Sequence, residues 1–213
     1  TDDSISSQAV PLRDSSTDLP VGILVMKSGF VSDIGIEYQH AFDIAMNETP
    51  SSPVRVIIMD GGSNASIASS GWNEMMNATP DLPVIITVSS WTTNVVYPDA
   101  ADRGMIQMAL GSAAINRSHE SDHLIRFTPG VQQESPVLAS YLDRFDRIAI
   151  VGGDNDYSNG YFAALDRLLP GKIVQKTRYD QDYVTLTLNT TEIVEADPDV
   201  ILLLSVSEGG EVA

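Results

Sequence analysis

The sequence predicts an α/β protein of doubly wound parallel layers, and three observations carry that expectation. Strand-length runs are apolar throughout, stretches of helical period separate them, and the links between the two are short and polar. The run VGILVM (21–26) is the first strand, with no polar face, as befits a strand covered on both sides. In DIGIEYQHAFDIAMNE (33–48), residues Ile34, Tyr38, Ala41, Phe42, Ala45 and Met46 share one helical face, and Asp33 is placed to cap the helix. His40 falls on the opposite face, toward solvent. VRVIIM (54–59) is the second strand, and Ala68, Trp72, Met75 and Met76 mark the helix after it. PVIITV (83–88) is the third, leading into SSWTTNVVYPDAADR, a helix despite Pro98. MIQMAL (105–110) and LIRF (124–127) complete a series of five strands.

A second series follows. The helix QQESPVLASYLDRFD precedes the strand RIAIVG (147–152) and a helix from about Tyr157 to Leu168. The strand KIVQKTRY, a helix near 185–196 and the strand DVILLLS (199–205) come next. Between the series lies RFTPGVQQESP (126–136), rich in turn residues and without periodicity, so it reads as a crossing between two lobes. The expected organisation is a flexible tether over 1–19, a first lobe over 20–127 and a second lobe over 128–213. The second lobe reads as incomplete, because SEGGEVA stands where a new helix should be starting.

Composition narrows the function. With 43% apolar residues a sizeable core is expected. The 29 Asp and Glu against 12 Lys and Arg give a net charge of −17, which repels phosphate backbones and anionic lipid heads. Nucleic acid is therefore not an expected partner. The absence of cysteine excludes disulfides, thiolate chemistry and Cys-based zinc sites. No apolar run is long enough to cross a membrane. The polar start, TDDSISSQAVPLRDSSTDLP, has no apolar signal core and reads as the solvated tether of a mature chain. Five N-x-S/T sequons, at Asn47, Asn64, Asn77, Asn116 and Asn189, point to a surface seen by a secretory pathway.

In open α/β sheets ligands sit beyond the carboxyl ends of strands. The loops there are KSGFVSD (27–33), DGGSN (60–64), SSWTTN (89–94), GSAA (111–114) and GDNDYSNG (153–160), none of them a phosphate-binding glycine loop. No nucleotide or other cofactor is therefore expected. SSWTTN is the most informative, since hydroxyls meet free backbone N–H groups at a helix start. That is an anion site suited to a carboxylate, with Trp91 as an apolar wall, unless Ser89 or Ser90 simply caps the helix. GGSNA could present Ser63 as a hydrolase nucleophile, but it lacks the last glycine of a nucleophile elbow and a well-placed histidine. HESDH matches the H-E-x-x-H pattern of zinc hydrolases through His119, Glu120 and His123. A zinc-binding helix would have to be half apolar and long, whereas this stretch is charged and runs straight into LIRF, so it reads as a solvated connector.

Taken in order, several motifs resemble those of the type I periplasmic binding proteins, specifically the branched-chain amino-acid (Leu/Ile/Val) receptor family. They are VGILVMKSGFVSDIGIEYQHAFDIAMNE, Asp60 after the second strand, Ser89-Ser90 after the third, Gly111-Ser112-Ala113 after the fourth, RFTPGVQQ at the crossing, RIAIVGGDNDYSNG, and ADPDVILLLS. The resemblance implies two Rossmann-like lobes joined by a hinge, with the C-terminal part of the fold missing. It also implies a non-enzymatic receptor, periplasmic or extracellular and with or without a lipid anchor, that closes on an amino acid or similar small carboxylate. The partner would be the permease of an ABC importer or a signalling receptor, with no cofactor or metal. Carried over, the carboxylate falls to Ser89, Ser90, Gly111, Ser112 and Ala113, with Trp91 beside them. Tyr157 would cover the ligand, Phe30 would stand near the wall, and Glu208 could take the place of the second-lobe acid that binds the ammonium group. Ala113 departs from the family by offering only a backbone N–H where a hydroxyl is usual.

Overall fold

The computed structural model describes residues 18–49, 53–114, 123–179 and 190–205. Two parallel sheets organise them. The first has the order β2-β1-β3-β4-β5, from strands β1 (Leu19–Val25), β2 (Val54–Asp60), β3 (Val84–Thr87), β4 (Ile106–Ala109) and β5 (Leu124–Arg126). The second has the order β7-β6-β8, from β6 (Ile148–Gly153), β7 (Ile173–Tyr179) and β8 (Val200–Leu204). Helices α1 (Ser32–Glu48), α2 (Ala65–Ala78) and α3 (Ser90–Asp102) serve the first sheet, and α4 (Val131–Leu142), α5 (Asp156–Leu168) and α6 (Thr190–Glu195) the second. The expected α/β fold of two doubly wound parallel layers is the one observed. Most of the tether expected over 1–19 lies outside the described residues, and Leu19 already pairs in β1, where its N–H donates to Pro53 O.

Alternation along β1 builds the first core. Leu24 packs with Trp72, Met75, Ile85 and Val96 beneath α2 and α3, whereas Ile23 and Val25 pack with Val31, Ala68 and Val88. In the second lobe Ile148 and Ile150 meet Leu142 of α4 and Phe162 and Leu165 of α5, while Ala149 and Val151 meet Ile193 of α6. Pro98 lies inside α3 without ending it, as expected.

Helix α1 departs from expectation in two ways. Its N-cap is Val31, with no side-chain cap, so Asp33 lies in the first turn without capping it. The chain turns instead through Gly29, at φ +89°, and Gly35 docks against the end of β1, where an added Cβ would stand 1.9 Å from Met26 O. A tertiary contact thus fixes the helix start. Of the predicted apolar face, Ile34, Tyr38, Phe42 and Met46 are half-buried and Ala41 and Ala45 are exposed. The reason is an open groove of about 370 Å³ between the C-terminal half of α1 and the sheet, lined by side chains such as Val21, Phe42, Val56 and Ile86.

Candidate functional site

A doubly wound sheet opens a crevice where neighbouring strands send their connections to opposite faces. In the first sheet that point lies between β1 and β3, and in the second β6 stands between β7 and β8. A cavity of about 240 Å³ joins the two crevices. Met26 and Val88, immediately after β1 and β3, line it together with Val31, Ile34 and Tyr38 of the α1 region. Ser90, Trp91 and Gly111 come from the α3 start and the loop after β4, and Tyr157 and Ser205 from the second lobe. None of the described lining residues carries a formal charge.

The two adjacent serines divide two tasks. Ser89 is the N-cap of α3: its Oγ accepts from Thr92 N at 3.2 Å and its backbone N–H donates to Thr92 Oγ1 at 3.1 Å, closing a capping box. Ser90, one position on, accepts from Ala114 N at 3.2 Å. That bond occupies a lone pair of Ser90 Oγ and leaves its single proton for an acceptor in the cavity. The first backbone N–H groups of a helix have no intrahelical acceptor, so Ser90 and Trp91 add main-chain donors at the positive end of α3. Such a set of donors is chemically suited to an anion.

The other predicted site residues fall in different places. Trp91 is held by its Nε1–H, which donates to Gly62 O at 3.1 Å, and its ring packs at 6.3 Å from that of Phe30. Phe30 is buried behind Trp91 and is not itself among the lining residues. Gly111 touches the cavity with backbone alone, since a Cβ there would come within 2.6 Å of Val88 O and 3.0 Å of Tyr38 Oη. Ser112 is fully buried and turned away from the cavity, its Oγ donating to Ser89 O at 2.8 Å. Ala113 packs against the second-lobe core and accepts from Val131 N at 2.9 Å. Tyr157 lines the cavity edge-on to Tyr161, at 5.1 Å, and burial followed by the nearby charge of Glu134 raises its phenol pKa above the ordinary value. Glu208 lies outside the described residues.

The two hydrolase readings gain nothing from this geometry. Ser63 donates its proton to Ser28 O at 3.0 Å, whereas a nucleophile would need a histidine as that acceptor. His119 and Glu120 lie outside the described residues, and His123 sits in a turn immediately before β5, not on a helix.

Sequence reasoning missed Met26, Val31, Ile34, Tyr38, Val88 and Ser205 as wall residues. Met26, Val88 and Ser205 each follow a strand end, a signal that could have found them. It also missed the join beside the cavity, where Asn94 of α3 donates to Asp156 of α5 at 2.9 Å and to Ala114 O at 3.1 Å.

Asp60 secures the rim. Its carboxylate accepts from Lys27 N at 3.0 Å, Ser28 Oγ at 2.6 Å and Gly62 N at 2.8 Å, fastening the loop after β1 to the loop after β2. Partial burial pushes its pKa up, but the hydrogen bonds outweigh burial and the net shift is below the ordinary 3.8. A depressed folded pKa contributes stability above the unfolded value and loses it as pH falls through the folded one. Asp60→Asn is therefore expected to lower stability at pH 7 by about 1–2 kcal/mol, read as a fall in the urea midpoint. The gap to the unsubstituted protein should narrow below about pH 4. A gap that is the same at pH 7 and pH 3 would contradict this.

The profile of the family described as "Periplasmic binding protein" matches residues 18–210. An extracellular ligand binding receptor from Desulfohalobium retbaense superposes with a TM-score of 0.84 at 30% identity, over 91% of this chain and 36% of its own. A branched-chain amino acid transporter substrate binding protein from Streptococcus pneumoniae, in complex with isoleucine, gives 0.73 at 16% identity, over 92% and 59%. An ABC transporter solute binding protein from Rhodopseudomonas palustris, in complex with 3,4-dihydroxybenzoic acid, gives 0.73 at 15%, over 92% and 56%. The chain thus spans between about a third and three-fifths of the length of these structures. A search of curated proteins returns no significant match. The paired parallel sheets, the cavity at their facing strand ends and a family profile spanning nearly all of the sequence agree: this chain belongs to the type I periplasmic binding proteins.

Proposed function

We propose that this chain is the ligand-binding part of an extracytoplasmic receptor that captures an amino acid or similar small carboxylate between two lobes and delivers it to an ABC importer. One observation carries the reading: the donor-rich start of α3, with the Ser90 hydroxyl, faces an uncharged, largely apolar cavity that Tyr157 lines from the second lobe. At about 240 Å³ the cavity suits a solute of amino-acid size. The carboxylate would take the donors at α3, and its apolar body would lie against Met26, Val31, Val88 and Trp91. A ligand that touches both lobes favours the closed form by the contacts it makes only there. We place the boundary between the lobes in the crossing from β5 to α4, since β5 pairs in the first sheet and Val131, Ala139 and Leu142 of α4 pack in the second core.

A thermal-shift screen of amino acids and small carboxylates tests this, because a ligand at about a hundred times its Kd stabilises the native state by about 2.7 kcal/mol. Ser90→Ala should weaken the hit about ten- to a hundredfold, the usual range for a hydrogen bond to a charged group. Titration calorimetry reads it. An unchanged Kd would refute the assignment of Ser90.

A further inference from the structure

Beneath the cavity lies a row of buried polar side chains that the proposed binding step does not touch. Gln107 of β4, Thr87 at the end of β3, Thr93 of α3 and Ser112 are all essentially inaccessible to solvent. Gln107 Nε2 donates to Thr87 Oγ1 at 3.3 Å and to Thr93 O at 3.2 Å. Thr87 Oγ1 lies 2.8 Å from Thr93 Oγ1, which is bonded in turn to Ser112 Oγ, and Ser112 Oγ donates to Ser89 O at 2.8 Å.

Proton counting fixes the direction of the row. A hydroxyl has one proton to give. Ser112 gives its proton to the Ser89 carbonyl, so Thr93 must donate to Ser112, and Thr87 must then donate to Thr93. Gln107 supplies the proton that Thr87 accepts. Every member is thereby committed in one sense, from β4 to the carbonyl of the α3 N-cap, and bonds aligned in this way polarise one another. Apolar side chains of similar size could fill these positions, so packing alone does not call for hydroxyls.

We infer that this relay, with Thr93 at its centre, is a positioning device for the anion cradle: it holds the 111–114 loop against the first turn of α3. The inference rests on the carboxylate reading above. With Ser112 tied to Ser89 O, Gly111 is brought to the cavity wall and Ala114 N meets Ser90 Oγ. Without the tie, Ser90 Oγ loses the Ala114 N–H that fixes its orientation, and its proton is no longer held toward the cavity. Thr93 does not line the cavity and acts only through its neighbours.

Thr93→Val removes the hydroxyl at nearly constant volume, and Thr93→Ser restores it. Two measurements are made on each: hydrogen exchange of the Ala114 amide, and calorimetric titration with sodium benzoate and with L-isoleucine. Thr93→Val is expected to speed Ala114 exchange about tenfold and to weaken carboxylate binding about five- to tenfold, the loss of roughly one hydrogen bond. Thr93→Ser should stay within about threefold of the unsubstituted protein in both. If Thr93→Val does not fold, Ser112→Ala breaks the same row by removing one oxygen, and its Ala114 exchange is read in the same way. Unchanged Ala114 exchange overturns the relay, whatever the ligand data show. Faster exchange with unchanged carboxylate binding overturns the positioning role, whereas no binding of either probe by the unsubstituted protein overturns instead the carboxylate reading on which that role depends.

Discussion

Gly35→Ala is expected to destabilise the protein by about 3 kcal/mol or more, the upper range for forcing extra volume into a closed contact. On an exposed helix the same change would stabilise by up to about 1 kcal/mol, because alanine loses less backbone freedom. The sign reverses here because the new Cβ would stand 1.9 Å from Met26 O and 2.5 Å from Met26 C. Those are backbone atoms at the exit of a central strand, and no rotamer change relieves the clash. Helix α1 must lift away, which strains its first turn, where Gly35 N donates to Val31 O at 3.1 Å. Met26, Val31 and Ile34 also line the cavity, so ligand affinity should fall with stability. Urea unfolding checks the first effect, and an unchanged midpoint would show that α1 is not seated on β1 as described.

Ser90→Asp is expected to lower the affinity for a carboxylate on the order of a thousandfold while leaving the fold in place. Two negative charges about 4 Å apart repel by about 4 kcal/mol at the effective dielectric of a protein surface. Aspartate in the first turn of a helix is favourable to the helix itself, so α3 should persist and circular dichroism should be unchanged. Ser90→Asn, similar in size and neutral, separates charge from volume and should bind better than the aspartate variant. Tighter binding of a cationic solute by Ser90→Asp, with carboxylates unaffected, would show that the cradle does not hold anions.

The strands were legible because their runs are apolar at nearly every position, and β1, β2, β3 and β6 lie where such runs occur; of these, β1 and β6 are buried on both faces, while β2 and β3 are partly covered. The helical faces were less so. A periodic apolar stripe shows that a helix has a side to bury but not how fully its neighbours cover it, and Ala41 and Ala45 remain exposed beside the open groove. At the site, the dipeptide Ser89-Ser90 divides in a way its one-dimensional pattern does not show: the first caps α3 and the second lines the cavity. Ser112 was not legible, because its orientation depends on Thr93 and Ser89, neither adjacent to it in sequence. Ile34, Tyr38 and Val88 were read as core or strand because a half-covered apolar wall and a core edge have the same one-dimensional pattern. Nothing local distinguishes them; the distinction arises when the second lobe faces them.

On the proposed assignment, every donor identified around the anion position, from Ser90 to the first amides of α3, belongs to the first lobe, while the second offers Tyr157 and Ser205. Arrival and retention are then governed by different halves of the molecule. A solute can dock on the first lobe alone, so its rate of arrival is set there. The second lobe, swinging over afterwards, sets how long the solute stays, and most tuning of affinity between related complexes works through that residence time.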